Sequence, residues 1–230
     1  MKRKLSGAVC LFFFATGSVF AGDVAMFENL GFSNDSKIFA FAQHGVQEST
    51  LYPYADLFVV DVAQNRFVPD GVYRDIYEQR ITPGFDGTTA LYQTLRRRNP
   101  VLERHGIKNT NTGRLVYILL DGDTSRNQLD FRDFETGFRF QVDLQQSVRG
   151  EGENVRARFH LNLQVIPESG SRRTVTVGLP QFDRDGISRY RIKQVIMSPD
   201  ERSLIFVIEM ERHAERGVDL RYMVETVRIQ

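Results

Sequence analysis

The chain has 230 residues, with 30 Lys and Arg against 29 Asp and Glu, a formal charge of +1, and 41% of its residues are hydrophobic. That composition excludes intrinsic disorder, a collagen-like repeat and a polytopic membrane protein, and leaves a polypeptide able to bury a core. The basic excess lies in Lys2, Arg3 and Lys4, so losing residues 1–21 removes three cations and no acid and takes the charge to −2. No nucleic-acid partner is expected, because phosphate backbones are gripped by clustered Lys and Arg.

The first segment has a basic start, an apolar stretch from Ala8 to Ala15, and Ser18-Val19-Phe20-Ala21 before Gly22. This is the pattern of a secretory signal peptide cut after Ala21, which sends a chain beginning at Gly22 to the periplasm or out of the cell. The apolar run is well short of the roughly 20 residues that cross a bilayer, so a retained anchor is not expected and the mature chain should carry no transmembrane segment. Cys10, the single cysteine, sits too early in this segment for lipid attachment and reads as a small hydrophobe. The mature chain then has no thiol, which excludes thiol catalysis and Cys-ligated zinc. Its remaining 209 residues can bury a core without disulfides.

From Gly22 onward the leading signal is two-residue alternation broken by turn residues, which predicts a mainly β fold. We expect antiparallel sheets of long hairpins, propeller-like or sandwich, in a single domain over 22–230. The polar loops at 150–154 and 167–173 are too short to serve as linkers. Strands are expected at 38–41 and 56–62. Val72 to Ile81 fits a helix through Tyr73, Ile76 and Tyr77 but also a strand, and the pattern does not choose between them. One helical segment is inserted near 88–105. Ala90, Leu91 and Leu95 have helical spacing, Asp86 or Thr88 can accept from the first amides, Asn99-Pro100 supplies a second cap, and Gly106 a left-handed stop. A bent helix pair is expected there.

Leu115 to Leu120 is apolar on both parities and reads as a central strand covered on both faces. Glu135-Thr136-Gly137 reads as a hairpin turn between Leu129 and Phe131 on one side and Phe138, Phe140, Val142 and Leu144 on the other. Val155 to Val165 alternates without a break, with Val155, Ala157, Phe159, Leu161, Leu163 and Val165 on the buried parity. Further strands are expected at 175–179 and 190–196.

Phe32-Ser33-Asn34-Asp35-Ser36-Lys37 and Met197-Ser198-Pro199-Asp200-Glu201-Arg202 form a weak repeat. Each is a tight turn whose Asp accepts backbone amides just ahead and launches an apolar strand. The resulting hairpins, at 31–62 and 196–228, resemble a blade unit of the Asp-centred propeller repeats of TolB-like proteins, whose motif reads F-S-P-D-G. Ser36 and Glu201 stand where that motif has Gly. Across its whole mature length the chain is similar to a bacterial family of predicted secreted proteins of unknown function. The residues that carry this likeness are Gly22-Asp23-Val24-Ala25, Asn29-Leu30-Gly31-Phe32-Ser33, Pro53-Tyr54-Ala55, Thr82-Pro83-Gly84 and Tyr222-Met223-Val224-Glu225-Thr226. The resemblance implies export and imports no activity.

Several residue sets could carry chemistry. Glu209, Glu211, His213 and Glu215 share one parity and could offer oxygen and nitrogen ligands, but four ligands on one strand are too spread to converge on one ion, so a solvated strand end is expected and no metal site. Asp121-Gly122-Asp123 with Asn127 lacks the Gly and Glu that a calcium loop requires and reads as a turn. His44, His105, His160 and His213 read as surface histidines. Arg96-Arg97-Arg98 reads as a solvated cluster opposing the negative pole of a helix end. No serine elbow, P-loop or dinucleotide signature occurs, and no cofactor and no catalytic residue is expected. The loop from Gln43 to Tyr54 is the binding candidate, through His44, Tyr52 and Tyr54, since loops mounted on sheets concentrate recognition residues. The expected function is an exported, soluble interaction module that contacts another envelope protein or a glycan. The alternatives are a metal-assisted hydrolase, with His44 and His213 joined by closure of the terminal hairpins, and a structural subunit of an envelope assembly.

Overall fold

The computed structural model describes residues 22–214 and 217–230. The expected leader, its cut after Ala21, and Glu215 lie outside the described residues. The chain forms β1 (Met26–Ser33), β2 (Ile38–Val46), β3 (Pro53–Asp61) and β4 (Arg66–Ile76), then the helix α1 (Thr88–Arg104). There follow β5 (Ile107–Lys108), β6 (Arg114–Ile118), β7 (Gln128–Arg132), β8 (Arg139–Arg149), β9 (Arg156–Ile166), β10 (Arg173–Val177) and β11 (Arg184–Asp185). β12 (Ile187–Met197), β13 (Ser203–His213) and β14 (Val218–Arg228) complete it. The mainly β, antiparallel character expected from alternation is what the chain adopts.

Three sheets form, in the orders β4-β3-β2-β1-β5, β10-β9-β8-β7 with β11 on β9, and β14-β13-β12-β6. The third sheet lies between the other two. Leu204, Phe206 and Ile208 of β13 pack with Phe140, Phe159 and Leu161 of the second sheet. Ile205 and Val207, on the opposite parity, pack with Phe39, Phe41 and Phe58 of the first. Burial of each such side chain is worth roughly 1.5–3 kcal/mol. The strand covered on both faces is therefore β13, not 115–120. β6 is an edge strand, with Leu115 and Ile118 exposed, as is Leu120 just beyond its end. Its apolar run is too short and pairs on one side only, with β12.

The other face of the first sheet carries Ala40, Ala42, Ala55, Leu57 and Val59 and receives Ala90, Leu91 and Leu102 of α1. The alanines let the helix approach closely, and a Cβ at Gly87 would stand 2.2 Å from the Gly45 carbonyl oxygen. The segment is one helix that runs through Pro100, not a bent pair. Pro100 leaves the Arg96 carbonyl without its helical donor, but residues on both sides of it, Leu91 and Leu102, are seated on the same sheet face and hold the axis continuous. Asp86 accepts from the Thr88 amide at 3.1 Å, and Gly106 ends the helix at a φ of +65°.

Val72 to Ile76 completes β4. Asp75 there accepts from Arg98 at 2.9 Å, and the Arg98 guanidinium covers the Tyr73 ring at 4.5 Å. Arg97 also reaches Asp75, at 3.4 Å. Two of the three arginines expected in solvent thus fasten the helix to the sheet.

The repeated turns share one geometry. Ser33 Oγ donates to Asp35 at 2.7 Å and accepts from the Ile38 amide at 3.0 Å. Ser198 Oγ donates to Asp200 at 2.6 Å and accepts from the Ser203 amide at 2.9 Å. Ser36 and Glu201, at the Gly position of the motif, have φ of +58° and +61°. The bonds from Ser33 and Lys37 hold the Asp35 carboxyl down at about 2.

Candidate binding cleft between the first and third sheets

On β2 the buried parity runs Phe39, Phe41, Gln43, and on β13 it runs Ile205, Val207, Glu209, so each apolar row ends in a polar side chain that remains buried. Gln43 bridges the sheets. Its Oε1 accepts from the Tyr222 amide at 2.7 Å and its Nε2 donates to Asp56 on β3 at 2.9 Å. Glu209 accepts from the Tyr222 hydroxyl at 3.2 Å and pairs with Arg191 of β12 at 2.5 Å. Of the acidic row on β13, Glu209 is therefore a buried ion-pair partner of β12 and half-buried Glu211 also reaches Arg191, at 3.1 Å, whereas His213 at the strand end is exposed as expected.

The extended segment before β1 closes this interface. Val24 bridges Leu220 in parallel, and the Ala25 amide donates to the Leu220 carbonyl at 3.1 Å. Asp23, buried, pairs with Arg221 at 2.5 Å and accepts from the Tyr54 hydroxyl at 3.0 Å. The Arg221 guanidinium lies over the Tyr54 ring, 4.8 Å from its centroid. Burial raises the Asp23 carboxyl above the ordinary range in spite of Arg221, and it pushes the Tyr54 and Tyr222 hydroxyls up as well. Asp56 is also raised by burial, against the bond from Gln43 and the charge of Arg74, its cross-strand neighbour on β4.

A cleft of about 600 Å³ opens beside this network, bounded by β2, β3 and β4 on one side, β13 and β14 on another, and residues 182–187 on the third. Its apolar wall includes Phe41, Phe58, Phe67, Phe182, Met210 and Met223. Four arginines, Arg74, Arg184, Arg212 and Arg221, line it with only two acids, Asp56 and Asp185. A second cavity of about 600 Å³, lined by Asp23, Glu48 and Asp219, shares Gln47 and Arg221 with the first. The volume is that of a ligand site, and the mixture of rings and guanidinium groups suits recognition by area and charge.

The three residues expected to bind are not brought together. Tyr54 lines the cleft, although its ring is held by Asp23 and Arg221. Tyr52 remains in the short loop between β2 and β3. His44 lies on β2 with the opposite parity, facing α1. Its side chain is 1% exposed, with Nε2 3.6 Å from Glu28 and Nδ1 unbonded, so it is not a surface histidine. His213 ends β13 beside Gly186 and Glu153. Among the described residues no three His, Cys, Asp or Glu side chains gather closely enough to hold a metal ion.

Sequence reasoning missed Gln43, Asp56, Arg74 and Arg221 in the cleft and Asp23 in the cavity beside it. A signal existed for Gln43, which continues an apolar parity; the arginines had none, since each stands at an ordinary polar position of its strand. Asn65, in the turn between β3 and β4, was also missed. It accepts from the Thr226 amide at 2.7 Å and donates to Glu225, tying that turn to β14.

A model of the family described as Predicted secreted protein (DUF2259) matches residues 40–228. No curated protein and no solved structure matches the chain. No helix among the described residues is long and apolar enough to cross a membrane.

Proposed function

The chain belongs to the family of predicted secreted proteins that this match defines, and we propose that it serves there as an exported, non-catalytic binding module of the cell envelope. Its partner is an envelope protein or a glycan, and the cleft between the first and third sheets is its recognition surface. The observation that carries this reading is the cleft itself, where rings and guanidinium groups line one opening while the buried acids beside it are already engaged by the fold. Asp23 is held by Arg221 and Tyr54, and Asp56 by Gln43. Groups so engaged shape a surface and are poorly placed to exchange protons with a substrate. In this reading Tyr54, which lines the cleft, contributes to recognition, and His44, on the face toward the helix, does not.

The test is site-specific photocrosslinking in the native cell. Phe67, 47% exposed, lines the cleft, and Phe134, 87% exposed, lies in the distant turn between β7 and β8. A photoreactive residue at Phe67 should give a discrete adduct that Phe134 does not give. The same adducts from both positions, or none from Phe67, would overturn the proposal.

A further inference from the structure

The lining of the cleft selects among partners, and this inference rests on the binding reading above. Arg221 is consumed by Asp23, and the other three arginines share the cleft with two lining acids, Asp56 and Asp185, of which Asp185 already pairs with Arg156 at 3.5 Å. Arg184 sits between rings, 5.0 Å from Phe182 and 5.3 Å from Phe159, and its nearest acid, Glu225, is 3.7 Å away. Its Nη1 is buried and has no hydrogen-bond partner. Burying a guanidinium nitrogen without an acceptor is costly, so the fold leaves Arg184 incompletely bonded, and an anion in the cleft meets the part of the side chain that stays exposed. Arg74 faces Asp56 across the strand pair, and that carboxylate is shared with Gln43, from which it accepts at 2.9 Å. Arg212 stands at the end of β13 on the same opening. Around these cations the walls are largely phenylalanine and methionine, and of the polar side chains among them Gln43, Tyr54, Asp56 and Tyr222 are already bonded within the fold, which leaves little to meet a hydroxylated sugar.

We propose that the occupant of the cleft is a short segment of a protein partner in which acidic side chains stand beside apolar ones. Its carboxylates meet Arg74, Arg184 and Arg212, and its apolar side chains cover the exposed Phe67, Ile76 and Phe182. Guanidinium pairs with carboxylates in bidentate fashion, which adds direction to the charge attraction. A cleft of about 600 Å³ holds a few residues of such a segment, and a neutral glycan leaves the arginines unanswered.

The experiment uses the neutral dye N-phenyl-1-naphthylamine on the folded, exported chain, with displacement by three competitors. The first is a capped pentapeptide that alternates phenylalanine with glutamate. The second is the same peptide with glutamine in place of glutamate, and the third is an oligogalacturonate, an anion without an apolar body. The glutamate peptide should displace the dye at about tenfold lower concentration than the glutamine peptide, as one or two charge-assisted bonds allow. The oligogalacturonate should not displace it. In the Arg74→Gln, Arg212→Gln double variant, with its thermal transition checked for intact folding, the advantage of glutamate should shrink to less than about threefold.

Equal displacement by the two peptides overturns this inference alone and leaves the cleft a binding site of another class. Displacement by the oligogalacturonate overturns it in favour of an acidic glycan. A dye that does not bind removes the cleft reading itself, and this inference with it.

Discussion

Asn65 joins the two ends of the described chain, and its removal should be costly. Its side chain accepts from the Thr226 amide at 2.7 Å and from Thr226 Oγ1 at 3.2 Å, and it donates to the Glu225 carboxylate. Thr226 and Glu225 are both buried, so removal leaves the Thr226 amide without an acceptor and takes one donor from the Glu225 carboxylate, while Thr226 Oγ1 keeps the Val62 carbonyl at 2.7 Å and Glu225 keeps Arg184 at 3.7 Å. Loss of a partner to a buried amide costs about 1–3 kcal/mol, and loss of a bond to a charged group about 1.5–3 kcal/mol. Asn65 also holds a φ of +49°, which glycine accepts freely and alanine does not. Asn65→Gly therefore isolates the bonds, and a loss of about 3 kcal/mol is expected; Asn65→Ala should lose about 1 kcal/mol more from the backbone. For a chain of this size that corresponds to a fall of about 6–12 °C in Tm for the glycine variant. Asn65→Asp keeps an acceptor for Thr226 but faces Glu225 with a second carboxylate, so it should be destabilised at pH 7 and recover as the pH falls. Urea titrations followed by far-ultraviolet dichroism give all three values. A loss below about 1 kcal/mol for Asn65→Gly would show that the turn between β3 and β4 is not fastened to β14 in the way described.

Two further predictions concern the acids and the repeated turns. Asp56 has its carboxyl raised by burial, so the folded state holds that proton more tightly than the unfolded chain. Its contribution is full below the ordinary carboxyl range near ~4 and is lost as pH rises through the folded value. Asp56→Asn should therefore flatten the decline in stability between pH 4 and 7 and leave the protein at least as stable as the parent at pH 7; a steeper decline would contradict the assignment. Ser36→Gly relieves the left-handed backbone at φ +58° and should raise stability by about 0.5 kcal/mol after the entropy of glycine is counted. Glu201→Gly gains the same relief but gives up its 2.9 Å pair with Arg114, so its urea midpoint should stay close to the parent value. A lower midpoint for Ser36→Gly than for the parent would refute the shared turn geometry.

Much of the local structure was written in the sequence because it depends on neighbours. The alternation from Val155 to Val165 becomes β9, since a strand with one wet face must alternate. The Ser-x-Asp turns at 33–35 and 198–200 form because a hydroxyl and a carboxylate two residues apart can satisfy the amides they precede. Asp86 and Gly106 bound α1 for equally local reasons. The misreadings arose where a distant partner decided. Leu115 to Leu120 looked central, but a strand's place in a sheet is set by which strands pair with it, and β12 takes only one edge of β6. Asn99-Pro100 looked like a second helix start, but packing against the first sheet carried the helix through. Arg97 and Arg98 looked solvated until β4 brought Asp75 beneath them.

By itself the sequence determined the β class, the place of the inserted helical segment and the repeated turns, because period and turn chemistry act over a few residues. Only the tertiary structure decided that the third sheet lies between the other two, that His44 and Tyr54 fall on opposite faces of the first sheet, and that Asp23, Gln43, Asp56 and Arg221 meet beside one cleft. Those residues are separated by up to 198 positions, and no local preference encodes a meeting that depends on how whole sheets stack.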